Sequence, residues 1–198
     1  MNAPLRKIWT QEQFFAWDGH QEGRYEFDGF EPVAMTGGTI RHSLIIRNLH
    51  RALDRRLSVG ACQFVGPDAG IETIGNAIRY PDALVTCAKL AGSALVVPGV
   101  VATFEVLSPS SGRIDRIVKV REYAAVPSIR HYVILEYRSA DVTVLSRAEA
   151  DEPWTATTLT ADETLPLPAI GIEISVGAFY EGVTFDEPPD FDETAEVG

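Results

Sequence analysis

Val100-Val101-Ala102-Thr103-Phe104-Glu105-Val106-Leu107 decides the fold. A run broken only by Thr103 and Glu105 reads as a strand buried on both faces, because a half-solvated strand alternates polar and apolar residues. Ser108-Pro109-Ser110-Ser111-Gly112 stops it, and a helical pattern over 113–125 follows. Strands at 131–137 and 141–147 then form a hairpin pair. Upstream, 80–86 reads as a strand, with shorter ones at 62–65 and 70–74 and a turn at Gly75-Asn76.

Toward the amino terminus, Thr10 followed by Gln13 predicts a helix over 11–17. Asp28-Gly29 between two extended runs signals a hairpin. Thr39 can cap a helix over 40–57, with Ile45, Leu49, Ala52, Leu53 and Leu57 at helical spacing and Gly60 after it. Weaker strands fall at 155–160 and 170–174, with a short helix at 176–180. The reading is a mixed α/β (α+β) domain over residues 1–185, a central sheet with flanking helices. Residues 186–198 read as an acidic, disordered tail.

Composition narrows the classes of function. The chain has 198 residues, 45% of them hydrophobic and 23% charged, which suits one ordinary domain. No apolar run reaches the roughly 18–20 residues of a membrane span. The beginning, MNAPLRKIWTQEQFF, lacks the apolar core of a secretory signal, so a cytoplasmic protein is expected. Cys62 and Cys87 are expected to be free thiols. The net charge of −11 hides an asymmetry: residues 1–147 carry 17 basic and 15 acidic residues, whereas residues 148–198 carry 13 acidic and no basic ones. The larger part can therefore face a polyanion.

Three polar residues interrupt apolar surroundings. Asp82 follows Pro81 and precedes Ala83-Leu84-Val85, Glu105 lies inside the most apolar strand, and Lys119 lies in the helix after it. A buried carboxylate costs several kcal/mol unless it is paired, hydrogen-bonded or bound to a cation. If Asp82 and Glu105 meet on neighbouring strands, about 4 Å apart, they repel by roughly 1–4 kcal/mol unless one is protonated or a cation lies between them. Mg²⁺ suits one or two carboxylates together with water and phosphate oxygens. Lys119 passes a test of length: the strand end lies about 10 Å beyond Glu105, and a helix doubling back brings Lys119 about 9 Å along its axis, level with the carboxylate. A helical wheel argues the other way, since Ile114, Ile117, Val120 and Ala124 share one face while Lys119 and Tyr123 point nearly opposite. Arg47, Arg51, Arg55 and Arg56 form either the wet face of the long helix or a ridge that tracks phosphates. No GxSxG elbow, GxxxxGK[ST] loop, CxxC or HExxH occurs.

Arg24-Tyr25-Glu26, Asp28-Gly29, Arg41-His42-Ser43, Pro81-Asp82, Glu105 through Ser111, and Asp115 with Lys119 and Tyr123 follow one another in that order. This ordered set resembles the Uma-type family of candidate restriction endonucleases, a branch of the PD-(D/E)XK nuclease superfamily, over roughly residues 10–180. The resemblance implies a restriction-endonuclease-like fold and Mg²⁺-dependent phosphodiester hydrolysis, with Asp82 and Glu105 as metal ligands. It also implies a helix-borne lysine, Lys119, since Leu107 stands where the superfamily pattern places lysine. Glu26 and His42 match further family positions. The resulting expectation is an endonuclease acting on DNA, with Mg²⁺ (or Mn²⁺) held by Asp82, Glu105 and the Val106 carbonyl. Catalytic residues are expected to be Asp82, Glu105, Lys119, Glu26 and His42, in a homodimer without membrane attachment. The competing expectation is a nuclease-derived module that binds DNA or protein without catalysis.

Overall fold

Two sheets meet at Tyr80-Pro81-Asp82, and that junction places the chemistry. The computed structural model describes residues 8–35, 37–57, 61–108 and 115–185. The chain opens with helix α1 (Gln11–Asp18), entered through a capping box: Thr10 Oγ1 accepts the Gln13 amide, and the Gln13 side chain accepts the Thr10 amide. Strands β1 (Tyr25–Phe27) and β2 (Pro32–Ala34) form the expected hairpin. At its corner Asp28 Oδ1 accepts the amides of Phe30 and Glu31, each at 2.8 Å. Gly29 has φ +92°, and a Cβ there would lie 2.5 Å from the Gly75 carbonyl oxygen, so only glycine fits.

Helix α2 (Ile40–Leu57) buries Ile45, Leu49, Leu53 and Leu57, and the Thr39 hydroxyl accepts the His42 amide. Strands β3 (Gln63–Val65), β4 (Ile71–Glu72), β5 (Ile78–Arg79), β6 (Ala83–Thr86) and β7 (Val100–Val106) follow. The strand expected over 80–86 is shorter, Ala83–Thr86 in the large sheet, and a separate strand, Ile78-Arg79, precedes it in a small antiparallel sheet, β2-β1-β5-β4. Pro81 has no amide hydrogen to continue a ladder, so the chain changes sheets there.

After β7 come helix α3 (Val120–Ala124), strands β8 (His131–Leu135), β9 (Asp141–Ser146) and β10 (Thr155–Thr160), and a hairpin of β11 (Thr164–Leu167) and β12 (Ile172–Ser175). The large sheet runs β10-β9-β8-β7-β6-β3, with β7 and β8 parallel and the other neighbours antiparallel. The architecture is the expected mixed sheet with flanking helices. Strand β11 is additional to the expected elements; its Thr164-Leu165-Pro166-Leu167 pattern is short and contains a proline.

Three expectations need correction. Cys62 and Cys87 form a disulfide rather than two free thiols. The β3–β6 ladder pairs Gln63 with Thr86, and its next step sets the two cysteines opposite each other. The helix expected over 113–125 is, from Asp115, a π turn (Asp115–Lys119) leading into α3. The wider turn rotates the wheel: Ile117 and Val118 are 54% and 39% exposed, whereas Lys119 and Tyr123 are 6% and 0% exposed. The strand break at 109–112, the expected end of α2 at Gly60 and the tail at 186–198 lie outside the described residues.

His131 carries a consequence for pH. The Ala169 amide donates to its Nε2, which leaves Nδ1–H to donate to the Ser146 hydroxyl, so the buried ring is held neutral. Burial first, and the Arg130 charge second, lower its pKa from 6.5 to about 4. Because the folded value lies below the unfolded one, the stabilisation is present above pH 6.5 and is lost as pH falls through about 4. Urea unfolding is expected to show as much as about 3 kcal/mol more acid sensitivity in the native protein than in His131→Asn over that window. Equal pH dependence of the two would refute it. Among the described residues, no helix is long and apolar enough to cross a membrane.

Candidate active site

The β6–β7 ladder pairs Ala83 with Phe104 and Leu84 with Thr103, so its next step sets Asp82 across from Glu105. Directly opposed residues of an antiparallel pair project to one face with Cβ atoms about 5 Å apart. Asp82 closes that end of the ladder with its side chain: Oδ2 accepts the Val106 amide at 2.7 Å. His42, one turn into α2, donates from Nε2 to the Val106 carbonyl at 3.0 Å, and the same nitrogen lies 4.0 Å from Asp82 Oδ2. His50, two turns further on, donates from Nε2 to the Asp82 carbonyl at 2.7 Å. Asp82 and His42 side chains are each 17% accessible, so the site opens on their side.

Glu105 is deeper and lies among donors. Its Oε1 accepts from Lys119 Nζ at 2.9 Å and from the Tyr123 hydroxyl at 2.8 Å. The π turn and α3 carry both donors on the buried side, at a spacing of four residues. Burial, and then the Glu105 charge, raise the Tyr123 pKa well above its ordinary value, so the phenol stays a hydrogen-bond donor.

Lys119 also meets Glu26, at 3.2 Å from Oε1. Glu26 reaches inward because the β1–β5 pair puts Phe27 opposite Ile78; the next step sets Glu26 opposite Arg79 on the other face. Glu26 Oε1 accepts the Tyr80 amide at 3.3 Å and Oε2 accepts from Arg79 Nη1 at 3.1 Å. Arg79 is gripped in turn by Glu122, with Nε to Oε2 and Nη2 to Oε1 both at 2.6 Å. Burial alone would lower the arginine pKa, but the bonds to Glu122 and the charges of Glu26 and Glu122 outweigh it and raise it, so the guanidinium stays charged.

The structure thus brings together Asp82, Glu105, Lys119, Glu26 and His42, with Val106 bound through both backbone groups. Sequence reasoning missed Arg79, Glu122 and His50. The available signal was weak: Arg79 is a charge in an extended run beside Ile78, and Glu122 follows Lys119 by three residues. The arginines of α2 lie on its solvent side, with Arg47, Arg55 and Arg56 exposed and Arg51 half-buried, and they have partners there. Arg51 pairs with Glu181, Arg56 donates to the Glu173 carbonyl, and Arg47 donates to Asn48 Oδ1 at 3.2 Å. Most of that ridge thus engages the carboxyl-terminal elements or its own helix.

Among the described residues, no three His, Cys, Asp or Glu side chains gather to hold a metal ion unaided. The donor set at Asp82, Glu105 and the Val106 carbonyl is all oxygen, which suits a hard cation that keeps part of its water shell. The formal charges agree. Asp82, Glu26, Glu105 and Glu122 contribute −4, while Arg79 and Lys119 contribute +2, leaving −2. One divalent cation cancels that sum.

Comparison with known proteins adds three findings. A structure from Anabaena variabilis ATCC 29413, described as a putative nuclease belonging to DUF820, superposes with a TM-score of 0.64 at 14% identity. The match covers 87% of this chain and 98% of that one, and it shows a shared fold. An uncharacterized protein of Synechocystis sp. PCC 6803 is 29% identical over 189 residues, 93% of this chain and 97% of its own length. The model of the family described as "Uma2: Putative restriction endonuclease" matches residues 11–177, a span that holds every residue of the charged cluster. The chain belongs to the Uma2 family.

Proposed function

We propose that the protein is a divalent-metal-dependent endonuclease that hydrolyses phosphodiester bonds, with DNA as substrate. The observation that carries this reading is the position of Asp82 beside Glu105, where β6 begins and β7 ends, next to an ammonium and on the side where Asp82 and His42 are partly accessible. Asp82, Glu105 and the Val106 carbonyl would hold the Mg²⁺. When bound there, the ion would polarise the phosphodiester and lower the pKa of the attacking water.

The remaining chemistry belongs to the side chains. Hydrolysis forms one P–O bond from water and breaks one P–O ester bond, and negative charge grows on the phosphoryl oxygens. The Lys119 ammonium, 2.9 Å from Glu105, supplies positive charge and hydrogen bonds where that charge develops. Tyr123 holds the Glu105 carboxylate in place. His42 holds the Val106 carbonyl, and Asp82 holds the Val106 amide, so the end of β7 is fixed from both sides.

The test is conversion of supercoiled plasmid to nicked and linear forms. Purified protein is expected to cut with Mg²⁺ or Mn²⁺ and to stop when EDTA is added. Absence of cleavage of plasmid, single-stranded DNA and RNA with both metals would sink the reading. A nuclease-derived binding module is the second reading, favoured by the engagement of Arg51 and Arg56 with Glu181 and the Glu173 carbonyl. Titration calorimetry with Mn²⁺ separates the two, since only the nuclease is expected to give a metal-binding heat.

A further inference from the structure

Glu26 lies between two cations. Arg79 holds its Oε2 at 3.1 Å, and Lys119 lies 3.2 Å from its Oε1. Lys119 stands closer to Glu105, at 2.9 Å. All of these side chains are buried, so solvent and salt screen their charges little. The position of the ammonium therefore depends on how well Glu26 is satisfied from its other side.

Arg79 supplies that satisfaction, and Glu122 fixes Arg79. The planar guanidinium presents its donors as a rigid fork. Two of them, Nε and Nη2, go to the two oxygens of Glu122 at 2.6 Å, which aims the remaining terminal nitrogen, Nη1, at Glu26. A lysine at this position would keep the charge but could not hold both carboxylates in the same geometry.

We propose that Arg79, gripped by Glu122, is a positioning residue that keeps Glu26 from drawing the Lys119 ammonium away from Glu105. The inference rests on reading Glu105 and Lys119 as part of the hydrolytic centre. Neither Arg79 nor Glu122 touches the reacting groups in this scheme; they act through Glu26.

The chain has three lysines, Lys7, Lys89 and Lys119, so its lysine Nζ nitrogens give a simple spectrum after ¹⁵N labelling. Lys119→Arg identifies the Lys119 signal by its loss, and exposed Lys89 serves as the internal control. In Glu122→Gln and Arg79→Lys the Lys119 signal is expected to move while that of Lys89 stays in place. In the plasmid assay both variants are expected to lose at least tenfold in kcat, with KM within twofold of the native protein. Circular dichroism reports folding, and Glu122→Gln carries the test if Arg79→Lys does not fold. A Lys119 signal unchanged in a folded variant, or kcat within twofold of native, overturns the proposal. If the native protein cleaves nothing, the proposed activity falls, and the Lys119 signal alone decides whether the clamp exists.

Discussion

Asp82→Asn and Glu105→Gln are each expected to slow plasmid cleavage by at least about 100-fold, with the fold retained. Both exchanges keep the shape and one acceptor oxygen. The Asp82 carboxylate accepts the Val106 amide at 2.7 Å, and a side-chain amide oxygen in its place can take over that bond. At position 105 an amide oxygen can still accept from Lys119 and Tyr123. Each variant removes one negative charge, so the cluster's formal sum falls from −2 to −1 and a divalent cation is held less well. Initial nicking rates check the first consequence, and Mn²⁺ calorimetry on the same samples checks the second. Variants that cut at the native rate would place the activity at other residues.

Arg79→Met is expected to destabilise the fold by about 3–5 kcal/mol, measured by urea unfolding. The loss comes less from the missing bonds than from the two carboxylates left behind. Glu122 loses both of its 2.6 Å partners, and Glu26 loses the 3.1 Å contact, while each remains under a tenth exposed. Adding Glu122→Gln to Arg79→Met removes one stranded charge and is expected to recover part of the loss. A double variant no more stable than Arg79→Met would show that lost packing, rather than stranded charge, sets the penalty.

Much of the architecture was legible because local rules and tertiary packing agree. The Thr10/Gln13 box, the Asp28-Gly29 corner, the apolar stripe of α2 and the apolar run of β7 each have a short-range cause and reappear in the structure. Legibility failed where the tertiary structure overruled a local pattern. The 80–86 run looked like one strand, yet only Ala83–Thr86 is strand, and Tyr80-Pro81-Asp82 links the two sheets. The wheel of the helix after β7 assumed a regular α-helix, and the π turn reversed the conclusion by turning Lys119 inward and Ile117 outward. The cysteines looked unrelated at a separation of 25 residues until the β3–β6 register set them opposite each other.

The same division runs through the candidate site. By itself the sequence determined that Glu105 required a partner, because a charge inside an apolar strand carries a desolvation cost that some neighbour must offset. It also determined which residues stand in family order, from Glu26 to Lys119. Only the tertiary structure decided who the partners are. Arg79 and Glu122 lie 43 positions apart, and Glu26 and Arg79 lie 53 apart, so no local pattern couples them. Sheet register and the π turn bring them together, and at the short distances of a buried interior their charges act on one another almost unscreened.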